Sequence, residues 1–134
     1  MEIGKLKEID KLEQEGVWRE YEDSDLQVKI ARYLNARFQS ALRKARIADE
    51  DTKAFNGETQ QADLVDTDLH KDLTAEYVLL DWKGLTVDGK EVPYSVENSK
   101  ELMRIESFYR EVRSLSLDYE QYKSKKEEDQ AKNL

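Results

Sequence analysis

The chain has 134 residues, a length that suits one domain with a single buried core. It contains no cysteine, which excludes disulfides, a thiol nucleophile and any cysteine-bearing metal site. Charged residues make up 39% of the chain and the net charge is −8, so we expect the surface to repel nucleic acid and anionic membranes. No apolar run reaches the length of a signal peptide or a membrane span, which predicts an intracellular, soluble protein.

The charges are unevenly distributed along the chain. Six basic residues and no acidic residue fall within residues 29–48, whereas residues 49–82 hold ten acidic residues and two lysines. Either the two segments face each other within one subunit, or the basic segment of one subunit meets the acidic segment of the next. The second arrangement would suit a self-assembling protein. The candidate interaction residues in these segments are Lys29, Arg32, Arg37, Arg43, Lys44, Arg46, Asp63, Asp66 and Asp72.

The amino-terminal part predicts a leader followed by a β-hairpin. Residues 1–14 carry apolar side chains at every third position, a pattern that fits either a short helix or a mobile leader. After Gly16, residues 17–21 are rich in β-forming types, residues 22–25 are typical of a turn, and residues 26–30 alternate apolar and polar side chains. These features predict an antiparallel hairpin whose buried face must pack on helices.

Two helices are expected in the middle of the chain. Residues 35–48 predict the first, with Phe38, Ala41, Leu42 and Ala45 on its inner face. Residues 49–59 contain Asn56-Gly57 and predict a loop. Apolar residues then recur at spacings of three and four, which predicts a second helix over residues 60–82.

The carboxyl-terminal part predicts a tight turn and a long last helix. Asp88-Gly89 suits a type I′ turn between two very short strands, and Ser95 suits the N-cap of the helix that follows. An apolar stripe continues to Tyr122, while residues 123–134 lack one and predict a disordered polar tail. The expected fold is therefore α+β: one mainly helical domain over residues 1–122, with an N-terminal antiparallel hairpin and a short second hairpin or ordered loop.

Catalytic and metal-binding chemistry finds little support in the sequence. His70 is the one histidine, it lies within an acidic helical segment, and only Asp66 stands at helical ligand spacing from it. The acidic residues around Gly84 and Gly89 lack the spacing of a calcium loop, and no phosphate-binding glycine motif occurs. We therefore expect a protein that is not an enzyme and that holds no metal or cofactor.

The aromatic residues allow two interpretations. Trp18, Tyr21, Trp82 and Tyr94 lie at the ends of predicted elements, where large rings usually close a small core. Alternatively, one or two of the rings are partly exposed anchors for another protein, with Trp18, Trp82 and Tyr94 as the candidates. A nucleic-acid face that combines the basic segment with Tyr33 and Phe38 is disfavoured, because Phe38 falls on the inner helix face and the total charge is acidic.

The order of several short motifs resembles a known family. G-V-W-x-x-Y begins at Gly16 and I-A-R begins at Ile30, followed by LLDWKGL (residues 79–85) and DGKEVPYS (residues 88–95). This order resembles the tail assembly chaperones of lambda-like, long-tailed bacteriophages and prophages. The chain departs from that pattern where Asp49-Glu50-Asp51 replaces an arginine-rich stretch.

The resemblance implies a non-enzymatic chaperone of phage tail assembly. Such a protein coats the tape measure protein, keeps it soluble, helps to recruit the major tail protein and associates weakly with itself. It would act in the host bacterial cytoplasm and be absent from the mature virion. The alternative is a structural tail-completion or connector protein, which would remain in the particle.

Overall fold

The computed structural model describes residues 1–55 and 67–123 of the chain. Within them, helices and strands mix in an α+β fold. The helices are α1 (Ile3–Glu15), α2 (Ala36–Phe55), α3 (Thr67–Tyr77), α4 (Val96–Met103) and α5 (Glu106–Ser116). The strands are β1 (Val17–Glu20), β2 (Gln27–Ile30), β3 (Leu79–Lys83), β4 (Thr86–Val87) and β5 (Lys90–Glu91).

The expected N-terminal hairpin is confirmed and is part of a larger sheet. β1 pairs antiparallel with β2, and β2 also pairs antiparallel with β3, so that β2 is the central strand. The register aligns Val28 with Trp82 and Ile30 with Leu79, and all four side chains are buried. One face of the sheet therefore carries the apolar residues that the period-two pattern requires.

The third strand corrects the expectation of one helix over residues 60–82. Helix α3 ends at Tyr77, and Leu79–Lys83 is a strand. Leu80 continues the helical spacing of α3, but pairing with β2 satisfies the backbone groups of this segment and buries Leu79 and Trp82 against the helices. Residues 60–66 of the expected helix lie outside the described residues.

The core lies between this sheet and helices α2 to α5. Its buried members include Phe38 and Leu42 of α2, which confirms the inner face expected for that helix, together with Leu73, Val78, Met103, Phe108 and Val112. Tyr122, beyond α5, is fully buried, and its hydroxyl donates to the carbonyl of Ile30 at 3.3 Å. The carboxyl-terminal side of the domain is thus attached to the central strand.

Helix α1 is the helical alternative for residues 1–14, and it buries no residue. A spacing of three advances each side chain by about −60° around a helix, so Ile3 and Leu12 point to opposite sides. Leu12 is half-buried beside the sheet, whereas Ile3 is 69% exposed and Leu6 is 50% exposed. The last turn is joined to the domain by a hydrogen bond from the Arg32 amide to the Glu13 carbonyl and by an ion pair between the side chains of the same two residues.

Helix α2 is longer than expected. The expected loop over residues 49–59 is wrong for its first part, because the helix continues to Phe55. Residues 49–55 contain neither glycine nor proline, and the turn signal Asn56-Gly57 stands only after them. Residues 56–59 of the expected loop lie outside the described residues.

The expected short hairpin and N-cap are both confirmed. β4 pairs with β5 through Asp88-Gly89, whose φ values of 51° and 79° match a type I′ turn. The Ser95 hydroxyl accepts a hydrogen bond from the Asn98 amide at 3.0 Å and caps α4.

The expected long last helix is instead two helices. α4 ends at Met103, Ile105 has an extended backbone as the N-cap of α5, and α5 starts at Glu106. This break lets α4 pack on α3 while α5 reaches β2. Of the expected tail, residues 124–134 lie outside the described residues.

Candidate protein-binding site

The turn before α2 fixes the position of this basic helix. Asn35 is buried, and its Oδ1 accepts a hydrogen bond from the Phe38 amide at 3.1 Å, so that it caps α2. Its Nδ2 donates to the carbonyl of Arg32 at 2.9 Å and to that of Tyr77 at 2.8 Å. The start of α2 is thereby attached to the end of α3.

Leu34, next to this cap, has an unusual backbone. Its φ is 58°, in the left-handed region that costs a leucine on the order of 1 kcal/mol. The carbonyl of Leu34 accepts a hydrogen bond from the Gln39 side chain, which holds the turn. The strained residue lies at one end of a surface groove along α2.

This groove, which we call the α2 groove, combines apolar and basic side chains. Its lining residues are Leu34, Gln39, Leu42, Arg43, Arg46 and Ile47. Those from α2 occupy one side of the helix, since about 100° separates successive residues. Ile47 is 53% exposed. Arg43 and Arg46 are also exposed, and neither forms an ion pair with another side chain in the described part of the chain.

The other basic candidates lie elsewhere. Arg37 and Lys44 are exposed on α2 but do not line the groove. Lys29 lies on the sheet face opposite the buried residues, paired in register with Trp18. Arg32 Nε lies 3.1 Å from Glu13 Oε2 in a geometry that makes an ion pair without a hydrogen bond. The basic segment is therefore divided among several surfaces.

The acidic candidate that the structure describes is already paired. Arg104 donates to Asp72 at 2.7 Å and lies 3.4 Å from Asp68, so that α4 is bound to α3 through surface ion pairs. Asp63 and Asp66 lie outside the described residues. The arrangement within one subunit is not seen between Asp72 and the basic residues of α2; the arrangement between subunits stays a prediction.

Trp82 and Tyr94 have structural roles in the described fold. Their rings pack edge to face with centroids 4.9 Å apart. Trp82 Nε1 donates to the carbonyl of Val92 at 2.7 Å, and the Tyr94 hydroxyl donates to that of Leu79 at 2.7 Å. Burial raises the pKa of Tyr94, while a hydrogen bond with the Ser99 side chain opposes that rise. Both residues thus fasten the β4–β5 hairpin to β3.

Trp18, like Tyr94, is partly accessible. It is half-buried on the outer face of the sheet, and the Lys83 ammonium lies 4.1 Å from the centroid of its ring. A cation at this distance from an indole face is attracted to it. Trp18 lies on β1, away from the α2 groove.

His70 belongs to an aromatic cluster between α2 and α3. Its Nδ1 lies 3.3 Å from the Tyr33 hydroxyl, and its ring packs on Phe38 with centroids 6.0 Å apart. Burial raises the pKa of Tyr33, and the nearby Arg113 opposes that rise. Within the described ranges no group of three or more metal-binding side chains comes together, and no helix there could span a membrane.

Sequence reasoning identified Arg43 and Arg46 but missed the apolar part of their surface. Leu34 falls outside the expected helix, and Gln39 and Ile47 lie off the inner face predicted for it. The signal for Ile47 was its position four residues after Arg43, on the same helix face and away from the inner face. No feature of the sequence predicts the left-handed backbone of Leu34.

Comparison with known families places the chain among prophage proteins. The family model described as YdaY prophage protein matches residues 33–133, which is more than half of the chain. The chain belongs to the YdaY prophage protein family. The match covers α2 to α5 and therefore the α2 groove. No curated protein matches the chain, and no solved structure matches it.

Proposed function

We propose that this YdaY-family protein is a non-enzymatic tail assembly chaperone that binds the tape measure protein and keeps it soluble. The motif order from Gly16 to Ser95 supports this role, and membership of a prophage family is consistent with it. The observation that carries the proposal is the α2 groove, which combines apolar side chains with two arginines that form no ion pair with other described side chains.

The rest of the molecule is compatible with protein binding. The net charge of −8 favours solubility while the protein holds an apolar client. In this proposal the protein acts in the host cytoplasm, associates weakly with further copies along the client, recruits the major tail protein and leaves before the virion matures.

Co-expression with the tape measure protein of the same prophage tests the proposal. We expect the tape measure protein to become soluble and to co-purify with the tagged chain. Co-expression with an unrelated acidic protein of similar size is the control for a general solubilising effect. An insoluble tape measure protein and an empty pull-down would contradict the chaperone role.

Mass spectrometry of purified virions provides a second test. A chaperone that leaves during assembly should be missing from the particle. Recovery of the chain at a fixed copy number per virion would instead indicate a tail-completion or connector protein.

A further inference from the structure

We infer that the α2 groove binds an acidic amphipathic helix of a partner protein. The inference deepens the proposed function and depends on it only for the source of that helix. The groove runs along one side of α2 between Leu34 and Ile47. Its apolar residues would contact the apolar stripe of the partner helix, and Arg43 and Arg46 would pair with acidic residues beside that stripe.

Charge complementarity favours an acidic partner. Residues 36–48 contain four basic side chains and no acidic one. The net charge of −8 opposes an acidic ligand at long range, but salt screens such fields beyond about 8 Å at physiological ionic strength. At contact distance the two groove arginines therefore dominate, and they can hold carboxylates with paired hydrogen bonds.

The groove geometry favours a helix. Gln39 to Ile47 extend over two helical turns, roughly 12 Å along the axis. Ile47 is 53% exposed and gains from burial against another apolar side chain. Apolar anchors spaced by three and four residues on a partner helix would follow this surface, as in helix-in-groove recognition generally.

Nucleic acid and a second copy of the chain fit less well. Tyr33 and Phe38, the rings that would stack on bases, are buried in the core and absent from the groove lining. Two of the three acidic residues of α3, Asp68 and Asp72, are already paired with Arg104 of their own subunit, which leaves a second copy only the exposed Glu76 on that helix. A partner helix with free carboxylates meets neither obstacle.

Fluorescence anisotropy tests the inference with the full chain. The probe is a fluorescein-labelled amphipathic peptide of leucine and glutamate, about 14 residues and thus roughly 21 Å long as a helix. We expect saturable binding that weakens at least about fivefold between low and high salt. A peptide with lysine in place of glutamate should not bind.

Matched variants locate the site. Arg43→Glu with Arg46→Glu should weaken binding at least about tenfold, since it reverses both groove charges. Arg37→Glu with Lys44→Glu changes the net charge equally on another face of α2 and should change the affinity less than about threefold. Equal losses in both double variants, or no loss in either, would overturn the site.

Two variants at exposed apolar residues measure the contribution of apolar packing to peptide binding separately from that of charge. Ile47→Ser should weaken binding at least about threefold. Val87→Ser, at a residue that is 61% exposed on the β4–β5 hairpin, should leave binding unchanged. Circular dichroism verifies that the variants fold, which we expect because the substituted residues are exposed.

The outcomes distinguish the inference from the proposed function. Peptide binding in the groove without rescue of the tape measure protein would contradict only the chaperone role. The inference about the α2 groove would be overturned if the chain did not bind the peptide and if the Arg43→Glu, Arg46→Glu variant still kept the tape measure protein soluble. A third outcome would identify a second copy of the chain as the occupant and overturn the inference. In it, the chain does not bind the peptide but forms dimers in sedimentation experiments, and Arg43→Glu with Arg46→Glu abolishes those dimers.

Discussion

The Nδ2 atom of Asn35 donates a hydrogen bond of 2.8 Å to the carbonyl of Tyr77. This bond joins the beginning of α2 to the end of α3, between residues 42 positions apart. The same side chain also caps α2 and holds the carbonyl of Arg32. One buried amide therefore controls the turn that positions the α2 groove.

Replacing Asn35 should destabilise the domain strongly. Asn35→Ala removes three hydrogen bonds and leaves buried backbone groups without partners, so we expect the free energy of unfolding to fall by about 2–4 kcal/mol. Urea denaturation followed by circular dichroism measures this change. Asn98→Ala removes one surface hydrogen bond, to the carbonyl of Pro93, and should cost about 0.5 kcal/mol. Similar losses in the two variants would contradict the role given to Asn35.

Two glycines with left-handed backbones should respond differently to alanine. At Gly84, φ is 84° and an added Cβ would lie 2.7 Å from the carbonyl oxygen of Asp25. At Gly89, φ is 79° and no atom lies within 4 Å of an added Cβ. Gly89→Ala should cost about 1 kcal/mol through backbone strain alone. Gly84→Ala should cost at least about 1 kcal/mol more, because the backbone must also move. Equal midpoints in thermal denaturation would contradict the steric argument.

Buried tyrosines should make the domain sensitive to alkaline pH. Burial raises the pKa of the Tyr122 hydroxyl above its ordinary value of 10, and the nearby Glu13 carboxylate adds to the rise. The unfolded chain then loses this proton at a lower pH than the folded chain. The associated stability is complete below pH 10 and falls at higher pH by up to about 1.4 kcal/mol per pH unit.

Tyr122→Phe tests this origin. The variant should be less stable at neutral pH by about 1 kcal/mol, since the hydrogen bond to Ile30 is lost. It should also show a shallower decline of the free energy of unfolding between pH 10 and pH 11. Urea titrations at each pH supply the measurement. An unchanged slope would assign the alkaline sensitivity to other groups.

The ion pairs of Arg104 should contribute little stability and should depend on salt. Arg104→Ala removes the contacts to Asp68 and Asp72, and we expect a loss of about 0.5–1 kcal/mol at low ionic strength that shrinks in 1 M salt. Arg110→Ala, at an exposed residue of α5, is the control and should have almost no effect. A loss that persists in high salt would indicate that the Arg104 side chain stabilises by packing.

Local patterns predicted the elements whose causes are local. The N-terminal hairpin follows from alternation around Val28 and Ile30, the second hairpin follows from Asp88-Gly89, and the start of α4 follows from Ser95. In each case the deciding interaction lies within a single hairpin or a single helical turn. The sequence pattern therefore contained the necessary information.

Elements decided by distant partners were predicted poorly. Leu80 continues a helical spacing, yet Leu79–Lys83 forms a strand because β2 lies alongside it. The break after Met103 depends on what α4 and α5 each pack against. The α2 groove combines charges that the sequence displays with an exposed Ile47 and a left-handed Leu34, whose arrangement depends on the Asn35 cap.

The central position of β2 determines how this chain can be divided. β2 ends at Ile30, before the residues 33–133 that match the family model. A fragment limited to the matched residues would leave β3 without its neighbour and would remove the acceptor of the Tyr122 hydroxyl. The segment that the family model matches therefore omits the strand to which β3 is paired. Since β2 is synthesised about 50 residues before β3, the nascent sheet stays incomplete until most of the protein has been made.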